Sequence, residues 1–259
     1  MGVERYSNSL ILIRTLLKRD LEYYLRDVKS FVIFLTVFLS GLLVFLVSLK
    51  NMLGNSNDYF LFLLIGYLVV SYMNISAGAG FEIINDSYEG KLVYDKTLPI
   101  KSFTYAIIRI IGISTRGYIN FLICFLLMSP WLIIFFSLVN LAIFLLLSFI
   151  LSIIFTCFSI LPIFLSKNLT IQALIGSLLR SWFFLGSTIF YSYSMIPEIL
   201  KPIILLNPVT WVLELMRSLL HIPFATSFPL LQSIIVIFMY LFTTGIIGIK
   251  ILEHYEYQI

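Results

Sequence analysis

A chain of 259 residues that is 60% hydrophobic and only 12% charged, with a mean hydropathy of +1.03, excludes a soluble fold, where about 25% charged residues are usual. Its net charge of +4 is too small to argue for nucleic acid. No stretch is polar enough to stand apart as a soluble unit, so the composition describes one all-α polytopic membrane domain over residues 1–259.

The opening MGVERYSNSL lacks the apolar core and small-residue cleavage site of a signal peptide, and Tyr6 stands where a myristoylation motif needs Ser or Thr. Residues 9–30 read as an amphipathic helix. Leu10, Ile13, Leu17, Leu21 and Leu25 recur at steps of three and four, with Arg14, Lys18, Arg19, Asp20, Glu22 and Arg26 on the other faces. Such a helix in front of a first span lies in the membrane interface; the alternative is a helix packed on a partner.

Six spans follow, at about 31–49, 59–78, 107–129, 137–165, 169–193 and 228–249. The first rises about 28 Å, close to the hydrocarbon thickness. The third has to start near Ile107, which carries Arg116 about two turns inside the membrane edge. Arg109 and Arg116 share a face there, placed to snorkel toward water. Ser129-Pro130-Trp131 reads as an interfacial turn. Residues 194–227 carry Pro197, Pro202, Pro208 and Pro223, too apolar for a solvated loop and too broken for a span, so re-entrant helices are expected. Within them Asn207 and Pro208 suit the cap and first turn of a half-helix, and Glu214 and Arg217, three apart, can pair.

Between the second and third spans lies a charged island from Glu82 to Lys101, with Asp86, Glu89, Lys91, Asp95 and Lys96. That much charge between two apolar spans implies something on the aqueous side to hold. Thirteen of the basic residues fall on the side of the termini and the island, against Lys50, Lys201 and Arg217 opposite, which places both termini in the cytoplasm.

Several chemistries have no support in these residues. There is no phosphate-cradling loop. His221 and His254 stand far apart without flanking ligands, so no metal is expected. Cys124 and Cys157 sit in apolar runs and do not suggest a disulfide. The interiors of the spans carry no acidic residue that could serve a proton or sodium relay. The chain shows no energy source of its own.

The order of parts resembles the permease subunits of type-2 ABC exporters. One pattern is Glu89-Gly90-Lys91-Leu92 followed by Leu98-Pro99-Ile100. The other is Gly186, then Met195-Ile196-Pro197, then Leu206-Asn207-Pro208-Val209-Thr210 with Glu214 and Arg217. The resemblance covers nearly the whole chain. It implies a homodimeric or heterodimeric permease clamped by two cytoplasmic ABC ATPase subunits that bind ATP and Mg, with no cofactor in this chain. The island becomes a coupling helix seated on the ATPase through Asp86, Glu89, Gly90, Lys91, Leu92, Leu98 and Pro99. The cargo is an amphipathic, drug-like or lipid-linked substrate exported from the cell membrane, with a polysaccharide or glycoconjugate as the alternative. Arg26-Asp27-Val28-Lys29-Ser30, where the polysaccharide branch is aromatic-rich, is closer to the drug and lipid branch. An enzyme or assembly factor without transport, and a passive channel, are the readings from other classes.

The translocation path or gate is expected at Arg180, Asn207, Pro208, Glu214 and Arg217. Arg180 lies eleven residues after Leu169, about 17 Å along the helix and near mid-membrane. It fits a structural ion pair with an acid such as Glu214, a cap on backbone carbonyls, or an anionic group on the substrate. Ser177 and Ser181, four apart, fit either a permease–permease contact or ordinary packing inside the bundle.

Overall fold

The computed structural model describes residues 14–255, apart from 23, 25, 27, 54–56, 77, 89, 90, 92–94, 96, 98, 99, 133–136, 167, 223 and 227. The described residues form helices and turns, with no strand among them. We label the helical residues 14–22 α1, then Val28–Leu53 α2, Asn57–Ser76 α3, Ala79–Tyr88 α4, Ser102–Leu132 α5, Leu138–Leu165 α6, Leu169–Leu185 α7, Lys201–Leu205 α8, Pro208–Leu219 α9 and Leu230–Tyr255 α10. Three of these, α5, α6 and α10, are long and apolar enough to cross a bilayer. Shorter apolar stretches lie in α2 (Phe31–Val44), α3 (Tyr59–Met73) and α7 (Thr170–Leu185).

The core is built where α3, α5 and α6 meet, with α10 laid along α6. Phe62, Leu64, Tyr72, Phe121, Phe144, Phe155 and Phe183 are buried there. Tyr72 meets Phe121 edge-on at 5.3 Å and Phe155 meets Phe183 at 5.1 Å, separations at which aromatic pairs add to the area they bury. Small residues let the backbones approach, as is usual where helices pack in lipid. A Cβ on Gly117 of α5 would stand 2.3 Å from Ser76 Oγ of α3. The hydroxyls in that seam bond across helices: Ser76 to Ser152 at 2.9 Å, Ser152 to the Ser114 carbonyl at 2.8 Å and Ser114 to Thr156 at 3.0 Å.

Several element boundaries differ from the sequence reading, and two elements change its account. The third apolar helix begins at Ser102 and runs through Pro130 to Leu132, so Ser129-Pro130-Trp131 is no turn. A proline frees the carbonyl four residues before it, and here the Ser129 hydroxyl takes the Leu126 carbonyl at 2.7 Å. The fifth, α7, stops at Leu185 instead of continuing to 193. Asn207 ends it, as described below.

Candidate functional site

Two buried polar assemblies stand out. The first joins α1, α4 and α5. On α4, Glu82 and Asp86 lie one turn apart and so share a face. On α5, Arg109 and Arg116 lie two turns apart and do the same. These faces meet: Arg116 pairs with Glu82 and Arg109 with Asp86, and Glu82 also stands 3.7 Å from Arg109. Asp20 of α1 reaches Arg109 from the other side at 3.1 Å. Gly112 permits that approach, because a Cβ there would stand 3.0 Å from Asp20 Oδ2. Lys91 closes the group at 3.3 Å from Asp86, so three acids face three cations.

The arginines expected to snorkel are therefore buried, Arg109 at 4% and Arg116 at 6% exposure. Solvation of a snorkelled guanidinium would give up three carboxylates that stand within reach. Desolvating both signs is costly unless the partners are well placed, and removing one of them is costlier still.

A second tie pins α1 to the island. Arg19 forks onto Asp95 at 2.8 and 3.1 Å, and the Tyr105 hydroxyl donates to the same carboxylate at 2.9 Å. Burial alone would raise the Asp95 carboxyl, but these hydrogen bonds outweigh it and hold it below the usual carboxylate range. The hydrogen bond to Asp95 raises Arg19 in turn. Leu16 and Asp20 of α1, with Tyr24 four residues further on, face α5. Leu16 packs on Tyr105 and Ile108, and Tyr24 donates to Asn120. The packed face of α1 thus includes an acid that the sequence reading assigned to the polar faces. Of the expected face, Leu10, Ile13 and Leu25 lie outside the described residues.

The second assembly holds α9, and its helix start is legible in the sequence. Asn207 caps α9 by accepting from the Val209 N–H at 3.0 Å, with Pro208 at the first position. The same side chain donates at 2.9 Å to the carbonyls of both Trp182 and Gly186, closing the C-terminal end of α7. One residue caps two helices. Further along, Arg217 is fully buried at 0% exposure and bonds Glu214 at 3.0 Å. It also donates to the carbonyls of Thr188 at 2.6 Å, Ile189 at 3.0 Å and Phe62 at 3.0 Å, with its guanidinium 3.4 Å over the Phe62 ring. The other Glu214 oxygen accepts from the Thr226 N–H at 2.6 Å. That bond helps to hold the turn after α9, where His221 and Phe224 have φ of 52° and 67°, a region costly for side-chain-bearing residues.

The remaining predicted residues fall apart from both assemblies. Glu214 is fully engaged, so it is not the partner of Arg180. Arg180 is half-buried and makes no hydrogen bond or ion pair with any described residue. Ser177 and Ser181 are exposed on α7 and do not pack inside this chain. Asp86 and Lys91 belong to the first assembly, while Glu89, Gly90, Leu92, Leu98 and Pro99 lie outside the described residues. Sequence reasoning missed Asp20, Asp95 and Tyr105. The four-residue spacing Leu16–Asp20–Tyr24 was the available signal for the first.

With this geometry in view, the model of the ABC-2 type transporter family matches residues 11–221, from α1 through the end of α9. The chain belongs to that family of transporter membrane domains. It is accordingly a multi-pass permease component of an ABC transporter, a class that works with an ABC ATPase in the bilayer. No curated protein matches the chain with significant similarity.

Proposed function

We propose that the chain is the permease of an exporter in the cell membrane. It moves an amphipathic, drug-like or lipid-linked substrate out of the cytoplasm or inner leaflet on ATP hydrolysed by two partner subunits. In this reading the six apolar helices are all spans, both termini are cytoplasmic, and α8 and α9 are re-entrant. A second permease copy or homologue completes the transporter.

The observation that carries the coupling is the ion-paired seam between α4 and α5. A short amphipathic helix lying free would absorb a push from an ATPase. Tied by Arg109 and Arg116 to a 31-residue helix, it passes that push into the bundle. Asp86 faces inward to Arg109, so the ATPase-facing surface falls to exposed residues such as Asn85 and Lys91 and to the segment beyond α4. Glu89, Gly90, Leu92, Leu98 and Pro99 complete that surface.

The test is purification of the tagged chain from native membranes. An ABC ATPase subunit should co-purify and hydrolyse ATP in reconstituted vesicles, and its absence would sink the reading. In the same complex Arg109→Gln should leave the ATPase bound yet abolish the ATP-driven distance change between spin labels on the far ends of α5 and α10. An unaltered distance change would reduce the α4–α5 seam to plain packing.

A further inference from the structure

Arg180 sits eleven residues into α7, five before its last residue Leu185, inside an apolar helix where a charge left on lipid is costly. No described residue pairs with it. Nor can another copy of this chain supply the counter-charge at that depth. Between Asp95 and Glu253 the sequence holds only two acids, Glu198 and Glu214, and α2 and α3 hold none after Asp58. Both Glu214 oxygens are occupied in the α9 clamp. Glu198 lies beyond the end of α7, exposed and paired with Lys201 at 2.5 Å. Two copies meeting at the Ser177/Ser181 face would bring two guanidinium groups toward each other with nothing between them to neutralise either.

The surroundings of Arg180 narrow what can lie there. At 100° per residue, Arg180 stands at one edge of the open face of α7. Ser177 and Ser181 run up that face with exposed hydroxyls, and Leu174, Leu178 and Leu185 continue it as an exposed apolar stripe. A fixed cation, two hydroxyls and an apolar track match an anionic headgroup with a hydrocarbon chain attached. A guanidinium binds an oxyanion through a planar fork, best of all phosphate or carboxylate.

We infer that Arg180 receives the anionic headgroup of the transported amphiphile, with Ser177 and Ser181 donating to the same group and its apolar tail along the stripe. The cargo class is thereby an anionic amphiphile of phosphate type. This assignment rests on the export reading above, and the two can fail separately.

The purified complex is titrated by native mass spectrometry with didecanoyl phosphatidic acid and with the chain-matched neutral didecanoylglycerol. Wild type should bind the phosphate form about tenfold more tightly, the worth of one charge-assisted contact. Arg180→Gln should bring the two to parity, and Arg180→Lys, which keeps the charge and loses the fork, should retain an intermediate preference. An unchanged preference in Arg180→Gln overturns the site. Should that variant fail to accumulate, Arg180→Lys and the double variant Ser177→Ala/Ser181→Ala carry the same comparison, and wild-type preference in both overturns it too. A second arm follows fluorescent phosphatidic acid in phosphatidylcholine vesicles containing the complex. ATP-dependent movement of the probe between leaflets, lost in Arg180→Gln, supports transported cargo. Selective binding without ATP-dependent movement assigns the anion to a bystander lipid and overturns the proposal. A complex that lacks an ATPase refutes the export reading while leaving the binding comparison readable.

Discussion

Arg217 has a carboxylate and three backbone carbonyls around one fully buried guanidinium. Arg217→Ala should cost ~3–5 kcal/mol, because it leaves Glu214 buried and unpaired. Arg217→Lys should recover little of that, since a single ammonium cannot reproduce the fork. Thermal unfolding of the detergent-purified chain measures both, and a lysine variant as stable as wild type would contradict the clamp. Asp95 gives a pH test at the same scale. Its carboxyl is lower in the folded chain than when unfolded, so its contribution is complete above about pH 4 and is lost as pH falls through the lower folded value. Hydrogen exchange of α1 should therefore be flat from pH 8 to about pH 5, after allowance for intrinsic exchange, and α1 should loosen in acid. Asp95→Asn should loosen α1 already at neutral pH. Equal protection of α1 in both proteins would remove Asp95 from the account. The pairing of Glu214 with Arg217 was legible from their spacing of three; the three carbonyls were not, because they come from α3 and from the segment after α7.

Among the elements, α7 and α9 share Asn207, and two substitutions separate its roles. Asn207→Ala should fray both the last turn of α7 and the first turn of α9, at about 1–2 kcal/mol for a lost cap. Asn207→Ser keeps an acceptor for Val209 N–H but is too short to reach the Trp182 and Gly186 carbonyls, so only α7 should fray. Residue-resolved hydrogen exchange distinguishes these, and identical patterns would mean that the α7 contacts contribute nothing. The cap of α9 was readable from Asn-Pro ahead of an apolar periodic run. The early end of α7 was not, because hydropathy continues to residue 193 and the group that stops the helix stands about twenty residues further on. The same limit explains α5, where Pro130 looks like a stop and Ser129 removes the reason for one.

For the molecule as a whole, the α4–α5 seam makes a cooperative prediction. Glu82 and the buried Arg116 form one part-buried ion pair, so the single Ala substitutions and their double should be non-additive. A coupling of about 0.5–3 kcal/mol is expected in thermal unfolding. Additivity within error would mean that the pair contributes nothing and that α4 is held by apolar packing alone. The proposed transmission of ATPase motion uses this link together with the close packing of α4 on α6, where a Cβ on Gly80 would stand 2.1 Å from the Ser159 carbonyl. Gly112→Leu offers an independent lesion, wedging α1 away from α5 while leaving Glu82–Arg116 intact.

Composition and hydropathy alone determined that this is a helical membrane protein, and the order of the motifs pointed to the transporter family that residues 11–221 match. Those properties are local or additive along the chain, so they survive without knowledge of contacts. Which charges are partners was decided only by the tertiary structure. Arg109 and Arg116 looked like snorkelling anchors because their spacing is helical and no local acid offsets them. Their acids arrive from α1 and α4, 23 to 89 residues away in sequence. Arg180 is the converse case: Glu214 is committed to Arg217 and no described residue pairs with the guanidinium, leaving a cation on the open edge of α7.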